Sequence, residues 1–391
     1  MNDLRIGVLG AGGRGGLARH AHKPGEGSAV VACCDTDESV FERMRTWYGE
    51  AVSLTSSMED FLAQDLDAVM ICTPDFLHEE QAVAVLRKGL PVYLEKPLAI
   101  TVEGCDRILR TSVENHAPLY LGHNMRHMSF VLKMKELIDS GAIGQVKTAW
   151  CRHFVGHGGD FYFKDWHADR RLTTSLLLQK AAHDIDVLHW LAGGYGKIVN
   201  ALGGLTVYGG IKDRHAEDER GCARVNLENW PPLSQKQLNP VVDVEDVSML
   251  NMELDNGVFV AYQQCHFSPD YWRNYTFIGT EGRIENVGDG QEGTHIKLWN
   301  KRVHGCGFEA DRIFPIETGS GGHGGADARI VPEFLDFVRG KCKASTSPVA
   351  ARYSVAVGCA ATESLRNGGI PITVPPLDQT VASHFRQWCE G

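Results

Sequence analysis

The chain has 391 residues, which at roughly 100–200 residues per domain predicts two or three domains. Hydrophobic residues make up 43% of it and charged residues 23%, a composition that is ordinary for a globular protein and that excludes a disordered chain. The net charge is −10, so the protein lacks the overall positive field that would hold nucleic acid or an anionic membrane.

The remaining bulk features favour a protein of a reducing compartment. No apolar run approaches the roughly 20 residues that span a bilayer, and the N-terminus lacks the pattern of a signal peptide. The 11 cysteines are an odd number and show neither CxxC nor zinc-type spacing, which is typical of buried free thiols. We expect a cytoplasmic protein without a membrane partner, a nucleic-acid partner or a metal site.

Short apolar runs alternate with helix-compatible stretches over the first 122 residues. The predicted strands cover 5–10, 29–35, 68–73, 91–95 and 119–122, and the predicted helices cover 37–48, 57–64, 78–88 and 101–115. Strands that alternate with helices indicate a parallel sheet covered on both faces. The sequence therefore predicts an α/β, doubly wound dinucleotide-binding domain at 1–122.

The pattern changes after residue 122, where strands of alternating apolar and polar residues dominate. Strands are predicted at 145–154, 196–207, 243–253, 257–267 and 271–279, and helices at 128–139, 173–192, 325–339 and 348–366. Asp255-Asn256-Gly257 is a hairpin signal, 208–242 is predicted to be an inserted loop, and the glycine-rich 319–325 a mobile connector. We predict an α+β substrate domain at 123–391 with an open, mainly antiparallel sheet.

The most specific motif is a glycine turn directly after the first predicted strand. Gly10, Gly12 and Gly15 match G-x-G-x-x-G, and Gly13 and Arg14 complete the turn. These glycines permit a tight turn, a close approach to a pyrophosphate and close helix packing. Asp35 ends the next predicted strand, where its carboxylate can bind the ribose hydroxyls and repel a 2′-phosphate. The sequence therefore predicts NAD as the cofactor.

Further candidates lie at the ends of later strands, where open α/β sheets bind ligands. Thr73 and Pro74 lie at the end of the strand at 68–73 and are expected beside the nicotinamide end of the cofactor. His78 is expected to bind the cofactor, to cap a helix or to lie at the surface. Glu95-Lys96-Pro97 follows the strand at 91–95. Lys96 can hydrogen-bond a hydroxyl under oxidation, and Glu95 can pair with ribose or backbone.

A second set of candidates lies on the predicted helix 173–192, which is apolar around most of its circumference. Gln179, Lys180, His183 and Asp186 nevertheless share a polar stripe on it. Because unpartnered polar groups on a buried helix cost free energy, we expect the stripe to face a cleft. His183 suits proton abstraction from a hydroxyl, with Gln179, Lys180 and Asp184 around the substrate.

The segment just before this helix mixes aromatic and charged residues. Tyr162 and Trp166 can stack on the face of a sugar. Lys164, Arg170 and Arg171 can bind an anionic substituent such as a carboxylate, phosphate or sulfonate. The alternative for each of them is an ordinary solvated loop residue.

The glycine turn, Asp35, Glu95-Lys96-Pro97 and His183-Asp184-Ile185-Asp186 together resemble the glucose–fructose oxidoreductase/inositol dehydrogenase (Gfo/Idh/MocA) family over nearly the whole chain. The resemblance implies a Rossmann domain, an α+β domain whose open sheet forms a homodimer or homotetramer, and NAD-linked oxidation of sugars or polyols. It implies that Lys96 and His183 form the catalytic pair and that Asn124 and Arg126 contact cofactor or substrate. Many members carry an aspartate at the position of Gln179, which cannot ionise.

Two other functions stay open at this point. An NAD-dependent glycosidase of the same family oxidises a ring hydroxyl, eliminates the aglycone, adds water and reduces the ketone again. A non-catalytic NAD-binding regulator would use the same fold without chemistry, since a fold does not determine a function. Lys96 and His183 argue against the regulator, and net NADH formation separates the dehydrogenase from the glycosidase.

Overall fold

The computed structural model describes residues 2–217, 219, 221, 224–317, 319 and 322–389. The N-terminal strands are β1 (Leu4–Leu9), β2 (Ser28–Cys34), β3 (Ser53–Thr55), β4 (Ala68–Ile71), β5 (Val92–Leu94) and β6 (Leu119–Leu121). The helices between them are α1 (Phe41–Tyr48), α2 (Met58–Leu62), α3 (His78–Leu86) and α4 (Val102–Glu114), and Gly13–Ala21 forms 3₁₀ turns.

The first sheet has the order β3-β2-β1-β4-β5-β6, and all its strand pairs are parallel. Its central strands are short apolar runs because helices cover both faces; all four residues of β4 are buried. The predicted doubly wound domain is confirmed. Ser53-Leu54-Thr55, which forms β3, is absent from the predicted strands because three residues carry no usable periodicity.

The following helices are α5 (Ser129–Asp139), α6 (Gly158–Phe161), α7 (Arg170–Thr173), α8 (Leu176–Gln179), α9 (Ala181–Ala192), α10 (Asp327–Val338), α11 (Pro348–Arg366) and α12 (Gln379–Phe385). The strands are β7 (Val146–Phe154), β8 (Gly196–Gly204), β9 (Val247–Leu254), β10 (Phe259–Cys265), β11 (Trp272–Gly279), β12 (Arg283–Val287), β13 (His295–Trp299), β14 (Arg312–Pro315) and β15 (Ile372–Thr373). The helix predicted at 173–192 is therefore divided into three parts.

The second sheet has the order β14-β13-β12-β11-β7-β10-β9-β8-β15. Its neighbouring strands are antiparallel except for the parallel pair β7–β10. The prediction of an open, mainly antiparallel sheet is confirmed, although β12, β13, β14 and β15 are additional to the predicted strands. The buried helix α9 packs against β7 and β10, so the core of this part lies between α9 and the sheet.

The chain forms two compact units from separated segments. Unit 1 comprises Met1–His127, Gly321–Arg352 and Leu377–Gly391, and unit 2 comprises Met128–Ser320 and Tyr353–Pro376. Unit 1 thus includes two C-terminal segments that the division at residue 122 assigns to the second domain. Across the described ranges, every helix is too short or too polar to cross a membrane, and no group of three or more His, Cys, Asp or Glu side chains is arranged to hold a metal ion.

Candidate active site

The glycine turn after β1 lies at the carboxyl end of the first sheet. Gly10 has a φ of +80°, and a Cβ there would lie 2.7 Å from the backbone nitrogen of Thr73. A Cβ on Gly15 would lie 2.2 Å from the carbonyl oxygen of Gly10, whereas one on Gly13 would meet nothing within 4 Å. Gly10 and Gly15 are therefore required for packing, and the backbone at Gly13 is open to a ligand.

Asp35 follows β2 and is held beside this turn by two backbone amides. Its Oδ2 accepts a hydrogen bond of 2.9 Å from Gly12, and its Oδ1 accepts one of 2.9 Å from Asp37. The carboxylate is thus fixed at the end of β2, where a dinucleotide places its adenosine ribose. Its free lone pairs suit ribose hydroxyls, and its charge opposes a 2′-phosphate.

Arg14, which the sequence assigns to the cofactor, is bound by two carboxylates of unit 1. Its Nε donates to Glu95 Oε1 at 2.8 Å, and its Nη1 and Nη2 donate to the two oxygens of Asp327 at 2.6 and 2.9 Å. Although burial raises the pKa of Asp327, hydrogen bonds from His323 and Arg14 hold that pKa well below its usual range. The arginine therefore joins the glycine turn to β5 and α10.

His78 links the ends of β4 and β5. Its Nδ1 lies 2.7 Å from the carbonyl oxygen of Pro97, and its Nε2 lies 3.0 Å from that of Thr73. The imidazole is completely buried, and the Thr73 hydroxyl donates to Gln81 at 2.6 Å. Thr73, Pro74 and His78 thus lie together at this edge, with His78 between two backbone segments.

Glu95 and Lys96 follow β5 directly. Glu95 Oε1 accepts from the Tyr93 hydroxyl at 3.0 Å as well as from Arg14, so its carboxylate is oriented from two sides. Lys96 is half-buried at the same carboxyl edge as the glycine turn, and its bond to Pro97 is cis. The strand end thereby presents an ammonium group at the edge where open α/β sheets bind ligands.

Asn124 and Arg126 follow β6 in a short 3₁₀ segment, and both are buried. The Asn124 amide donates from Nδ2 to Asp327 Oδ1 at 3.0 Å. The Arg126 guanidinium donates to the carbonyl oxygen of Ser345 at 2.9 Å. The ends of β1, β4, β5 and β6 in unit 1 therefore all carry predicted cofactor residues.

In unit 2, the polar stripe lies on α8 and α9, which meet at Lys180. Gln179 and His183 are each 6% exposed, and Asp184 and Asp186 are buried. α9 keeps these polar residues although its other side chains are mostly apolar. Polar groups survive on a buried helix only where partners are available to them.

Asp184, adjacent to His183, is the centre of a buried hydrogen-bond network. Its carboxylate accepts from Tyr262 at 3.0 Å, from His153 Nδ1 at 2.8 Å and from the Tyr275 hydroxyl, and it lies 3.0 Å from Arg273 Nε. Although burial raises the pKa of Asp184, Arg273 and His153 hold that pKa well below its usual range. Burial and Arg273 lower the pKa of His153 to about 3, so this imidazole is neutral.

Lys180 lies beside this network and on an aromatic face. Its Nζ is 5.5 Å from the centre of the Tyr162 ring, and that ring packs edge-on against His266 at 5.2 Å. Burial and Arg273 lower the pKa of Lys180 to about 8. His266 is completely buried, and within the described ranges neither of its ring nitrogens has a hydrogen-bond partner.

The three other predicted cations of the substrate segment are each paired with a carboxylate. Arg170 Nε lies 3.1 Å from Asp243, and Lys164 Nζ lies 3.4 Å from Asp160. Arg171 Nε lies 2.9 and 3.0 Å from the two oxygens of Asp169. Trp166 is stacked on His167 with ring centres 3.7 Å apart. Lys164, Arg170 and Arg171 therefore do not form an unpaired group of positive charges.

Sequence reasoning does not identify Asp327, His153 or Arg273. Asp327 follows a glycine-rich stretch that resembles a connector, and it joins the glycine turn only through the fold. His153 and Arg273 are directly paired across β7 and β11. A usable signal exists for Arg273, because a charged residue stands within the otherwise buried strand β11.

Two protein-family models match successive parts of the chain. Residues 4–123 match the model "Oxidoreductase family, NAD-binding Rossmann fold", and residues 135–374 match "Oxidoreductase family, C-terminal alpha/beta domain". YteT of Bacillus subtilis (strain 168), provisionally named an oxidoreductase, is 24% identical over 376 residues, which cover 84% of this chain and 87% of that protein. Inositol 2-dehydrogenase of Klebsiella pneumoniae is 31% identical over 192 residues, which cover 48% of this chain and 54% of that enzyme.

Solved structures share the fold. Levoglucosan dehydrogenase in complex with NADH and levoglucosan has a TM-score of 0.75 at 20% identity, covering 96% of this chain and 100% of that one. The WlbA dehydrogenase of Bordetella pertussis in complex with NADH and UDP-GlcNAcA has a TM-score of 0.67 at 20% identity, with the same coverage of 96% and 100%. The two family models together span most of the chain. The first model describes an NAD-binding domain, and the glycine turn and Asp35 are suited to NAD. The chain belongs to the Gfo/Idh/MocA family of NAD-binding oxidoreductases.

Proposed function

We propose that the protein is a dehydrogenase that oxidises a ring hydroxyl of a sugar, glycoside or polyol. The names of inositol 2-dehydrogenase and levoglucosan dehydrogenase, among its relatives and structural neighbours, support this substrate class. NAD⁺, when bound, accepts the hydride from the carbinol carbon. The hydroxyl proton must leave at the same time, and the products are a ketone, NADH and a proton.

Lys96 and His183 are the proposed proton-handling residues. A protonated Lys96 stabilises negative charge that develops on the substrate oxygen, and His183 takes the hydroxyl proton. Glu95 and the residues around His78 fix the strand end that carries Lys96. His183 lies on a helix whose next residue, Asp184, is held from four directions.

The observation that carries the proposal is the rigid anchoring, through Asp184, of the helix that carries His183. A catalytic group must stay close to its productive position, and buried hydrogen bonds to neighbouring residues provide that rigidity. The Asp184 network connects α9 to β7, β10 and β11 through His153, Tyr262, Tyr275 and Arg273. Such anchoring of a helix that carries polar residues on a buried face supports a catalytic role over that of a non-catalytic NAD-binding regulator.

The pairing of Lys164, Arg170 and Arg171 with carboxylates supports a neutral substrate over an anionic one. Lys164, Arg170 and Arg171 are each paired with a carboxylate, so binding an anion would require breaking these pairs. His153 donates from Nδ1 to Asp184 and is neutral, so its Nε2 is a hydrogen-bond acceptor. Acceptors and aromatic rings such as Tyr162 suit hydroxylated, uncharged rings.

A substrate screen tests the proposal. The purified protein is incubated with NAD⁺ and with inositols, neutral pyranoses, uronates and nitrophenyl glycosides, while NADH and aglycone are measured together. We expect stoichiometric NADH from at least one neutral polyol or sugar. Aglycone release without net NADH would identify the glycosidase instead, and absence of both products with every compound would contradict the enzymatic proposal.

We also propose that a second copy of the chain covers the open face of the nine-stranded sheet. Leu202, Met249 and Phe259 on this sheet are 58%, 46% and 62% exposed, and Leu202 and Met249 are directly paired across β8 and β9. A depression of about 390 Å³ on this sheet is lined by Leu202, Met249 and Trp150, among others. Exposed apolar surface of this kind is typical of an interface. Phe259→Lys should convert a dimer or tetramer to smaller species in sedimentation, whereas Leu227→Lys on an exposed loop should not.

A further inference from the structure

His266, the residue after β10, carries a completely buried imidazole. Among the described residues neither of its ring nitrogens has a hydrogen-bond partner. Its backbone is held on both sides, because its amide donates to the carbonyl oxygen of Asp246 at 2.9 Å and its carbonyl oxygen accepts from the Tyr208 hydroxyl at 2.8 Å. Buried polar atoms without partners are costly and are retained mainly where a water or a ligand completes them.

His153 brings a further nitrogen of this kind to the same place. In the parallel pair β7–β10, His153 is paired with Gln264, and His266 lies two residues beyond Gln264. Residues two apart along a strand share a face, so both imidazoles lie on one face of the sheet at the carboxyl ends of this pair. It is the face against which α9 packs, since His153 Nδ1 donates to Asp184. The Nε2 of His153 is buried and has no partner in the described part of the chain.

Lys180 and Tyr162 lie beside the two imidazoles. Lys180 Nζ is 5.5 Å from the centre of the Tyr162 ring, which packs edge-on against His266 at 5.2 Å. Burial, His153 and Lys180 lower the pKa of His266 well below its usual range, so this imidazole is neutral and the three side chains are close together. Tyr162 and Lys180 are half-buried, so the cluster extends to the surface on their side.

The hydrogen-bonding capacity of this cluster fits hydroxyl groups. His153 donates from Nδ1 and offers only an acceptor at Nε2, a neutral His266 offers one acceptor and one donor, and the Lys180 ammonium offers donors only. Two acceptor nitrogens require two O–H groups, and one hydroxyl supplies one of them. A carboxylate only accepts hydrogen bonds, so it would leave both acceptors without a donor. Two hydroxyls supply both O–H donors and two oxygens that can accept from Lys180 and His266.

We propose that His153, His266 and Lys180 bind two adjacent hydroxyls of the substrate, next to the one that reacts, and that His266 determines this specificity. The inference rests on the proposed function for the position of the reacting hydroxyl at His183. Lys180 has helical backbone angles (φ −85°, ψ −42°) and precedes His183 by one turn, so the two side chains are neighbours on one helix face. The substrate class is thereby narrowed to rings with three contiguous hydroxyls.

Thermal unfolding without ligand separates a ligand-binding imidazole from a structural one. His266→Leu replaces a ring without partners by an apolar side chain of similar size, so Tm should stay the same or rise. His189→Leu is the matched control: His189 is 1% exposed, but its Nε2 accepts from the Gly196 amide at 3.0 Å, so Tm should fall. His266→Gln keeps a donor and an acceptor and should leave Tm unchanged. A fall as large as that of the control in both His266 variants would overturn the proposal.

Binding to the complex with NADH measures the specificity without turnover. Calorimetry is carried out with myo-inositol, scyllo-inositol, glucose and levoglucosan and with their monodeoxy analogues. We expect at least one parent compound to bind, and removal of either of two adjacent hydroxyls to weaken its binding to wild type about tenfold. This ratio should fall towards one in His266→Leu, in part in His266→Gln, and not in His189→Leu.

A ratio that is unchanged in both His266 variants, or a failure of every parent compound to bind, would overturn the proposal. The outcomes also separate it from the proposed function. Binding with these ratios but without NADH formation would contradict the oxidation and support the hydroxyl site. Formation of NADH from every monodeoxy analogue as fast as from its parent would support the oxidation and overturn the hydroxyl site.

Discussion

Arg14 and Asp327 are joined by two hydrogen bonds of 2.6 and 2.9 Å although they lie 313 positions apart in the chain. The same guanidinium donates to Glu95 at 2.8 Å. One arginine of the glycine turn thus connects the end of β5 and the start of α10 within unit 1. The glycine turn, which is predicted to bind the cofactor, is therefore held in place by a segment that lies far away in the sequence.

This ion pair should make the free energy of unfolding depend on pH in the acidic range. The folded pKa of Asp327 lies below its unfolded value, so the pair contributes stability that is complete above about pH 5 and is lost as the pH falls through the folded pKa. Asp327→Asn should lower the free energy of unfolding at pH 7 by about 1–3 kcal/mol, less than for a fully buried pair because the Arg14 side chain is 29% exposed. The loss should shrink at pH 2–3.

Urea unfolding of wild type and Asp327→Asn at several pH values measures this difference. Asp336→Asn is a suitable control, because Asp336 is 46% exposed and pairs only at the surface with Lys341 and Arg339. A difference between wild type and Asp327→Asn that stays constant from pH 7 to pH 2 would contradict the role given to this carboxylate.

Asp35 should make the protein selective for NAD over NADP. Its carboxylate is fixed by the amides of Gly12 and Asp37, so it cannot turn away from a 2′-phosphate. We expect NADP⁺ to bind at least about tenfold more weakly than NAD⁺ and Asp35→Ser to remove most of that difference. Titration of both cofactors checks this, with Asp37→Ser as control. Equal affinities in wild type would contradict the role of Asp35.

The fold of the first sheet and its glycine turn can be predicted from the sequence, because the patterns that indicate them involve residues close together in the chain. Gly10–Gly15 and Asp35 follow apolar runs whose length and composition indicate buried parallel strands. The same holds for the fold of the second part, where alternation along β9 and β10 reports one buried face. These features depend on neighbours a few residues away.

The residues that pair with the candidate site residues cannot be predicted from the sequence, because these pairs depend on strand register and on segments far apart in the chain. His153 meets Arg273 only through the pairing of β7 with β11, and both meet Asp184 only because α9 packs on that sheet. The expectation that Lys164, Arg170 and Arg171 bind an anionic substituent rests on their charge alone. It could not include Asp160, Asp243 and Asp169, which pair with these cations in the fold.

Lys96 should be needed for turnover and hardly for cofactor affinity. Loss of a positioned acid–base group typically lowers the rate about 10²–10⁴-fold, so Lys96→Met should show that loss in kcat. The dissociation constant for NAD⁺ should change only a few-fold, because the glycine turn and Asp35 remain. Lys88→Met, in the exposed turn after α3, is the matched control. Normal turnover with poor NAD⁺ binding would make Lys96 a cofactor-binding residue only.

Lys180 should lower stability at neutral pH. Burial and Arg273 lower its pKa to about 8 against the opposing effect of Asp184 and Asp289, so the unfolded chain holds this proton more tightly than the folded one. Between pH 8 and 10 the unfolded state then binds more protons, and the contribution of Lys180 to stability rises with pH. Lys180→Met should therefore raise Tm at pH 7, with a gain that shrinks towards pH 10.

Thermal unfolding of wild type and Lys180→Met from pH 7 to pH 10 measures the effect. Lys197→Met is the control, because the Lys197 side chain is 56% exposed and pairs only with Glu253 at the surface. A stability difference that does not change with pH would mean that the lysine keeps its proton throughout and that its methylenes alone account for the effect of the substitution.

His183 and Gln179 together should determine how the rate depends on pH. If His183 takes the hydroxyl proton, kcat/KM should rise with pH through one ionisation, and His183→Ala should remove that rise along with most of the activity. Gln179 lies one turn before His183 and is 6% exposed, so a charge placed there acts on the imidazole through little solvent. Gln179→Asp should therefore favour the imidazolium and move the rise to higher pH, whereas Gln179→Leu should lower the maximum rate without moving it.

The pH profiles of the three variants, measured with one substrate at saturating NAD⁺, distinguish a charge effect from loss of packing. A rise that persists unchanged in His183→Ala would show that another group, such as Lys180, whose pKa is lowered to about 8, accepts the proton.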